Sequence, residues 1–163
     1  MSPEETIILG IDPGTATTGY GFLVGSGKRF SPEKFFFGTI ATLKSDPPQE
    51  RLKKIYEGLS ALIDRYHPRE IALENVFFNK NTKTALAVGE ARGVVLLCAA
   101  NKGIPVYEYT PLQVKQAVVG YGHATKEQVQ FMVGQILRFS GRIAPDDAAD
   151  ALAIALCHVY QCH

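Results

Sequence analysis

The chain has 163 residues, of which 46% are hydrophobic and 20% charged, and its net charge is +1. This length predicts a single domain over residues 1–163, large enough to bury a core without disulfides. No run approaches the roughly 18 apolar residues of a membrane span. The acidic start of the chain is not typical of a signal peptide. The three cysteines lack metal-type spacing and predict free thiols. We therefore expect a cytoplasmic globular protein with no membrane segment.

An apolar run from Ile7 to Ile11 ends abruptly at Asp12, and Pro13 and Gly14 follow it. This pattern predicts a buried strand that delivers one carboxylate to the rim of a sheet. The turn has little side-chain bulk, so a phosphate or another ligand can approach its backbone closely. Asp12 can equally be a residue that only caps the turn.

Further elements follow in chain order. Strands are predicted at residues 20–24, 35–42, 70–74 and 104–109, and helices at 46–66 and 82–101. Capping boxes at Thr110 to Gln113 and Thr125 to Gln128 begin two more helices. A last helix runs from Asp146 to about residue 161. The order predicts an α/β fold in which helices flank a mixed five-stranded sheet.

The last helix is apolar on almost every side, yet it contains Asp150. A buried carboxylate is costly unless it meets a cation or a dense set of hydrogen bonds. Asp147 lies three residues earlier, on the same helical face, although a first-turn acid can also simply favour the helix dipole. Asp146 is interpreted as the N-cap.

Four acids thus end strands or share one helix face: Asp12, Glu74, Asp147 and Asp150. Clustered carboxylates without soft ligands suit hard cations such as Mg²⁺ or Mn²⁺, and pairs of such ions promote phosphoryl transfer. Without metal, repulsion among the acids should raise at least one carboxylate pKa.

Residues 80–126 carry six basic and two acidic side chains, an excess of +4. Such an excess can attract a polyanion, or it can be an ordinary solvated surface. The six bases are Lys80, Lys83, Arg92, Lys102, Lys115 and Lys126.

Four stretches, taken together, resemble the RuvC family of bacterial Holliday junction resolvases. They occur in family order over nearly the whole chain. They are Gly10 to Gly14 with Thr18 to Gly21, Leu73 to Phe77, Tyr109 to Gly120, and Asp147 to Ala155. Asp-x-Gly-Thr alone would be weak, because sugar kinases and actin-like ATPases share it.

The resemblance implies a ribonuclease H-like fold and a homodimer that nicks opposing strands of a four-way DNA junction in recombination and repair. It implies that the four acids hold two Mg²⁺ ions, with Mn²⁺ as a substitute, and that a RuvA–RuvB branch-migration complex is a partner. We expect Asp12 and Glu74 to be bridging or primary ligands, Asp150 a further ligand, and Asp147 a ligand or a base that orients water.

For DNA, the resemblance implies that Phe77 stacks on junction bases, although the adjacent Phe78 is an alternative, and that Lys115 and Lys126 contact phosphates. Lys80, Lys83 and Arg92 are further expected contacts. Each lysine can instead be an ordinary surface residue, and Arg92 can pair with a local carboxylate. The helix with Gly89 and Gly93 can be a dimer face or can pack on its own sheet.

Three other functions share part of this sequence pattern. An actin-like or sugar-kinase ATPase needs two such domains, which 163 residues cannot hold. A silent DNA-binding module of the same fold leaves Asp150 without a role. A related resolvase or an RNA-processing nuclease of the same fold is the nearest enzymatic alternative, and cleavage of four-way junctions, simple duplex and RNA would distinguish them.

Overall fold

The computed structural model describes residues 4–26, 29–75 and 82–162, with the backbone alone at residues 82 and 83. Five strands form one mixed sheet in the order β3-β2-β1-β4-β5. The first three strands are antiparallel neighbours, and β4 and β5 run parallel to β1. The elements are β1 (Glu5–Asp12), β2 (Thr17–Ser26), β3 (Arg29–Ala41), α1 (Pro48–Tyr66), β4 (Glu70–Glu74), α2 (Thr82–Lys102), β5 (Val106–Tyr109), α3 (Pro111–Val118), α4 (Lys126–Ile136) and α5 (Asp146–Cys162).

The strand β3 is longer than its sequence pattern predicts. It begins at Arg29 rather than at residue 35 and includes Pro32. Proline cannot donate to a strand ladder, so it is tolerated mainly on edge strands. Because β3 is an edge of the sheet, the polar, proline-containing start of this strand is compatible with pairing on one side only.

Alternation along β1 divides the core into two layers. Ile8 packs with α3, α4 and α5 on one face of the sheet, whereas Leu9 and Ile11 pack with α1 and α2 on the other. The helix α5 is the central element of its layer, since every residue from 148 to 159 is buried except Asp150. The prediction that α5 is packed on all sides is confirmed.

Glycines bring α5 directly against the sheet. A methyl group on Gly10 of β1 would collide with the carbonyl oxygen of Ala151, and one on Gly19 of β2 with that of Asp147. The backbones of β1 and β2 therefore touch the backbone of α5 at its N-terminal half. This contact fixes where the acids of α5 lie relative to Asp12.

The helix ends follow the predicted signals, with one correction. Both capping boxes are present, at Thr110 and at Thr125, and α1 stops at His67 in a left-handed conformation. The N-cap predicted at Asp146 is wrong by one residue, because the carbonyl oxygen of Pro145 already accepts the first helical bond, from the Ala149 amide.

One helix among the described residues has the length and composition of a membrane span. Residues Thr84–Lys102 of α2 have a mean hydropathy of 1.2, and 22% of that window is buried inside the protein. Length and composition alone are weak evidence for a span. The observation does show that α2 presents apolar surface outward.

Candidate active site

The acids meet at one edge of the sheet. Asp12 is the last residue of β1 and Glu74 the last residue of β4, and these strands are parallel, so both carboxylates reach the same edge. Asp147 and Asp150 come from the first turns of α5. Carboxylate oxygens of Asp12, Asp147 and Asp150 lie within 4.8 Å of one another. The arrangement suits a hard cation held by oxygen ligands.

The cluster is strained electrostatically without a cation. Burial raises the pKa of Asp12 to about 8, and the negative charges of Glu74, Asp150 and Asp147 add to that increase. Burial and Asp150 raise the pKa of Glu74, and burial is also the main cause of the raised pKa of Asp150. Repulsion was expected to raise a carboxylate pKa and does so, but desolvation is the larger cause.

Two lysines oppose this negative charge. Lys126 Nζ lies 3.4 Å from Asp150 Oδ2, and it lowers the pKa of Asp12, Glu74 and Asp150 against the effects of burial. Lys115 acts in the same direction on Glu74. Glu74, Asp150 and both lysines line one cavity of about 250 Å³, whose other walls are Pro111, Val114, Val129 and Ala153. The site therefore combines acids for a metal with cations for an anionic substrate.

The remaining predicted DNA contacts are described by the structure only in part. Phe77, Phe78 and Lys80, and the side chain of Lys83, lie outside the described residues. Arg92 pairs with Glu108 on β5, which is the local carboxylate that was the alternative to DNA contact.

Asp146 also lies apart from the three clustered aspartates. Its carboxylate accepts a hydrogen bond from Arg142 at 2.8 Å, and this bond lowers the pKa of Asp146. The third acid of the cluster is therefore Asp147 rather than its neighbour.

Sequence reasoning missed the groups that hold the turn after Asp12. The Thr18 hydroxyl donates to the carbonyl oxygen of Gly14 at 2.7 Å. On the other side, Thr42 Oγ1 donates to the Thr15 carbonyl at 2.5 Å and accepts from Arg51 Nε at 2.9 Å. Nothing in the local pattern distinguishes Thr42 or Arg51 from surface residues, so no sequence signal identified them.

A second polar cluster lies at the opposite end of α5. His158, fully buried, joins Tyr109 through Nδ1 and Glu70 through Nε2, each at 2.6 Å. The Tyr109 hydroxyl is also 3.5 Å from Cys162 Sγ. These bonds tie β4 and β5 to the C-terminal part of α5, far along the helix from Asp150.

Comparison with known proteins points to one family. The family model described as "Crossover junction endodeoxyribonuclease RuvC" matches residues 8–158. A protein of that description from Pelotomaculum thermopropionicum is 54% identical over 154 residues, which is 94% of this chain and 93% of the relative. One from Desulforamulus reducens is 57% identical over 152 residues, 93% of this chain and 92% of the relative.

Solved structures agree. The structure described as "T. thermophilus RuvC in complex with Holliday junction substrate" has a TM-score of 0.86 and 38% identity, and the match covers 96% of this chain and 94% of that one. The yeast mitochondrial Holliday junction resolvase Ydc2 has a TM-score of 0.63 at 14% identity and shares the fold, over 98% of this chain and 81% of its own. The predicted ribonuclease H-like fold is confirmed.

Proposed function

The chain belongs to the RuvC family of crossover junction endodeoxyribonucleases, and from this premise we propose that it resolves four-way DNA junctions by paired nicks in recombination and repair. The proposal is carried by one observation, the convergence of Asp12, Asp147 and Asp150 within 4.8 Å at the sheet edge. The single domain proposed for residues 1–163 supplies the whole catalytic cluster.

The donor set fits Mg²⁺, with Mn²⁺ as a substitute. Burial and mutual repulsion raise the pKa values of Asp12 and Asp150 despite the nearby Lys126, so a bound cation would stabilise their ionised forms. Asp12, Asp147, Asp150 and the adjacent Glu74 would hold two ions, which activate water and stabilise the leaving oxygen when bound. Cysteine and histidine are absent from this described acidic cluster, so the ligand set favours hard cations over zinc.

Two lysines supply positive charge for the phosphodiester substrate. A phosphodiester entering the cavity brings negative charge close to the acids, and Lys115 and Lys126 offset that repulsion from the cavity wall. Lys126, already 3.4 Å from Asp150, also lowers the pKa of Asp150 against the larger effect of burial. Phe77 or Phe78 would stack on unpaired junction bases, and Lys80, Lys83 and Arg92 would contact the DNA backbone.

We propose that two copies associate through the outer face of α2. The inner face packs on the sheet through Val95, Cys98 and Ala99. On the outer face Leu86 is 64% and Leu97 56% exposed, and a methyl group on Gly89 or on Gly93 would meet nothing within 4 Å. Helical spacing places these four residues on one face. Small residues flanked by leucines allow close helix packing, so a second copy explains this apolar surface better than solvent does.

The dimer is tested by Gly93→Arg, which should fold but sediment as a monomer and lose paired nicking. Glu57→Arg, which puts the same side chain at an exposed position of α1, is the control and should stay dimeric. A wild type that is monomeric at micromolar concentration, or a Gly93→Arg variant that remains dimeric, would contradict this interface.

Association with a RuvA–RuvB complex and a cytoplasmic location complete the proposal.

The function is tested with a labelled synthetic four-way junction in Mg²⁺ or Mn²⁺. We expect paired nicks that a ligase can seal from the wild type, and binding without cutting from Asp150→Asn. Asp64→Asn, at an exposed position of α1, is the matched control and should cut normally. Faster cutting of RNA or of plain duplex would identify a different nuclease of this fold, and binding without cutting by the wild type would indicate a silent DNA-binding module.

A further inference from the structure

The turn that follows Asp12 is held from outside by residues distant in sequence. Residues 13–16 connect β1 to β2. The Thr42 backbone amide donates to the Ala16 carbonyl at 3.0 Å, and the Thr42 hydroxyl donates to the Thr15 carbonyl at 2.5 Å. One residue thus satisfies two successive carbonyl groups on the outer side of the turn.

The Thr42 hydroxyl is itself oriented by a cation. A threonine hydroxyl has a single proton to donate, and Arg51 Nε at 2.9 Å occupies its acceptor side. Donation from a guanidinium polarises the hydroxyl and strengthens the bond that it donates in turn. Because Arg51 lies on α1, the turn is connected to a helix on the opposite face of the sheet from α5.

A restraint of this kind has a physical reason. Burial, followed by the charges of Glu74, Asp150 and Asp147, makes ionisation of Asp12 unfavourable. When Asp12 is ionised and no metal is bound, the other acids repel its carboxylate, and a loose turn would let it move. Thr18 holds the turn through Gly14 from within, and Thr42 holds its outer carbonyls.

We propose that Arg51 and Thr42 form a positioning relay that holds the turn after Asp12 and so keeps the Asp12 carboxylate in place against Asp147 and Asp150. This inference rests on the proposed metal-dependent cleavage at these acids. Neither residue touches the reacting atoms in this role. Arg51 acts through Thr42, and Thr42 acts through the turn.

The relay is tested with Thr42→Val, which keeps the shape and removes the hydroxyl, and with Thr42→Ser, which restores it. Thr6→Val, at the far end of β1, is the matched control. We expect Thr42→Val to weaken Mg²⁺ binding in calorimetry without DNA and to slow single-turnover junction cleavage about tenfold, with junction binding unchanged within about twofold. Thr42→Ser and Thr6→Val should match the wild type.

Arg51→Met and the double variant Arg51→Met/Thr42→Val separate a relay from direct DNA contact. In a relay the double variant is no slower than Thr42→Val alone, because both changes break one path. Multiplied rate losses, or junction binding weakened by Arg51→Met while the bound complex cuts at the normal rate, would overturn the relay in favour of a phosphate contact.

The two proposals fail in different ways. A wild type that binds Mg²⁺ but does not cut a junction contradicts the proposed function, and the metal titrations still test the relay. Equal Mg²⁺ affinity in the wild type and Thr42→Val contradicts the relay while junction cutting by the wild type stands. Urea unfolding of each variant shows that losses of metal affinity come from folded protein, and recovery in Thr42→Ser excludes a general effect of altered packing.

Discussion

Replacing Asp12 by asparagine should stabilise the metal-free protein, in a pH-dependent way. The carboxyl group has its pKa raised from 3.8 to about 8 by burial and by neighbouring acids. The folded protein therefore binds this proton more tightly than the unfolded chain does. Stability falls as the pH rises above the unfolded pKa, and the loss is complete only above the folded pKa. Asparagine has no charge to desolvate, so the variant does not lose stability in this way as the pH rises.

The size of the effect follows from the shift. At about 1.4 kcal/mol for each pKa unit, the penalty at pH 8 has an upper limit of about 5 kcal/mol, and at pH 5 of about 2 kcal/mol. Water at the edge of the site and proton uptake by the neighbouring acids reduce it. We expect Asp12→Asn to raise the free energy of unfolding by about 2–3 kcal/mol at pH 8 and by about 1 kcal/mol at pH 5.

The assay is urea unfolding in EDTA at both pH values. Asp64→Asn is the control, because this aspartate pairs with Lys102 while 64% of its side chain is exposed, and surface pairs contribute little. Adding Mg²⁺ should then stabilise the wild type more than Asp12→Asn. With Mg²⁺ the wild type should therefore have the higher free energy of unfolding, the reverse of the order in EDTA. A variant less stable than the wild type at pH 8 without metal, or a gain of equal size at both pH values, would refute the reasoning.

Three further outcomes are expected. Junction cutting should fall in mild acid, because protons compete with metal for Asp12, Glu74 and Asp150, whose pKa values are raised; a rate that is flat between about pH 5 and 8 would count against this. Lys126→Gln should shift the acidic limb of the pH–rate profile to higher pH, because Lys126 lowers the pKa values of the clustered acids. The variant should therefore be closer to the wild-type rate at pH 9 than at pH 7, and an equal loss at both pH values would show that Lys126 acts on the phosphate alone. Tyr109→Phe should lower the free energy of unfolding by about 1–2 kcal/mol in urea titrations, since its hydroxyl meets buried His158, and should leave cutting unchanged; unchanged stability would show that this bond contributes nothing.

Local patterns in the sequence predicted much of the framework. The strand β4 (Glu70–Glu74) and the capping boxes at Thr110 and Thr125 are where the sequence placed them. These features depend on periodicity and on hydrogen bonds between residues within a few positions, so they can be recognised from the sequence alone. Asp150 was singled out in the same way, as a charge within an apolar helix.

Other features were decided by how distant segments pack. The start of β3 at Arg29 depends on that strand lying at the sheet edge. The pairing of Arg92 with Glu108 depends on α2 facing β5, and that of Lys126 with Asp150 on α4 facing α5. A sequence pattern gives each side chain its chemistry but not its neighbour.

The site shows the same division most clearly. From the sequence alone we could tell that Asp12 and Glu74 end strands and that Asp147 and Asp150 share a helix face. Only the tertiary structure decided that Gly10 and Gly19 let the backbone of α5 touch β1 and β2, which brings Asp12 beside Asp147 and Asp150. The physical reason is that side-chain periodicity orients a residue within its own element, whereas the distance between elements is set by the small side chains at which two backbones meet.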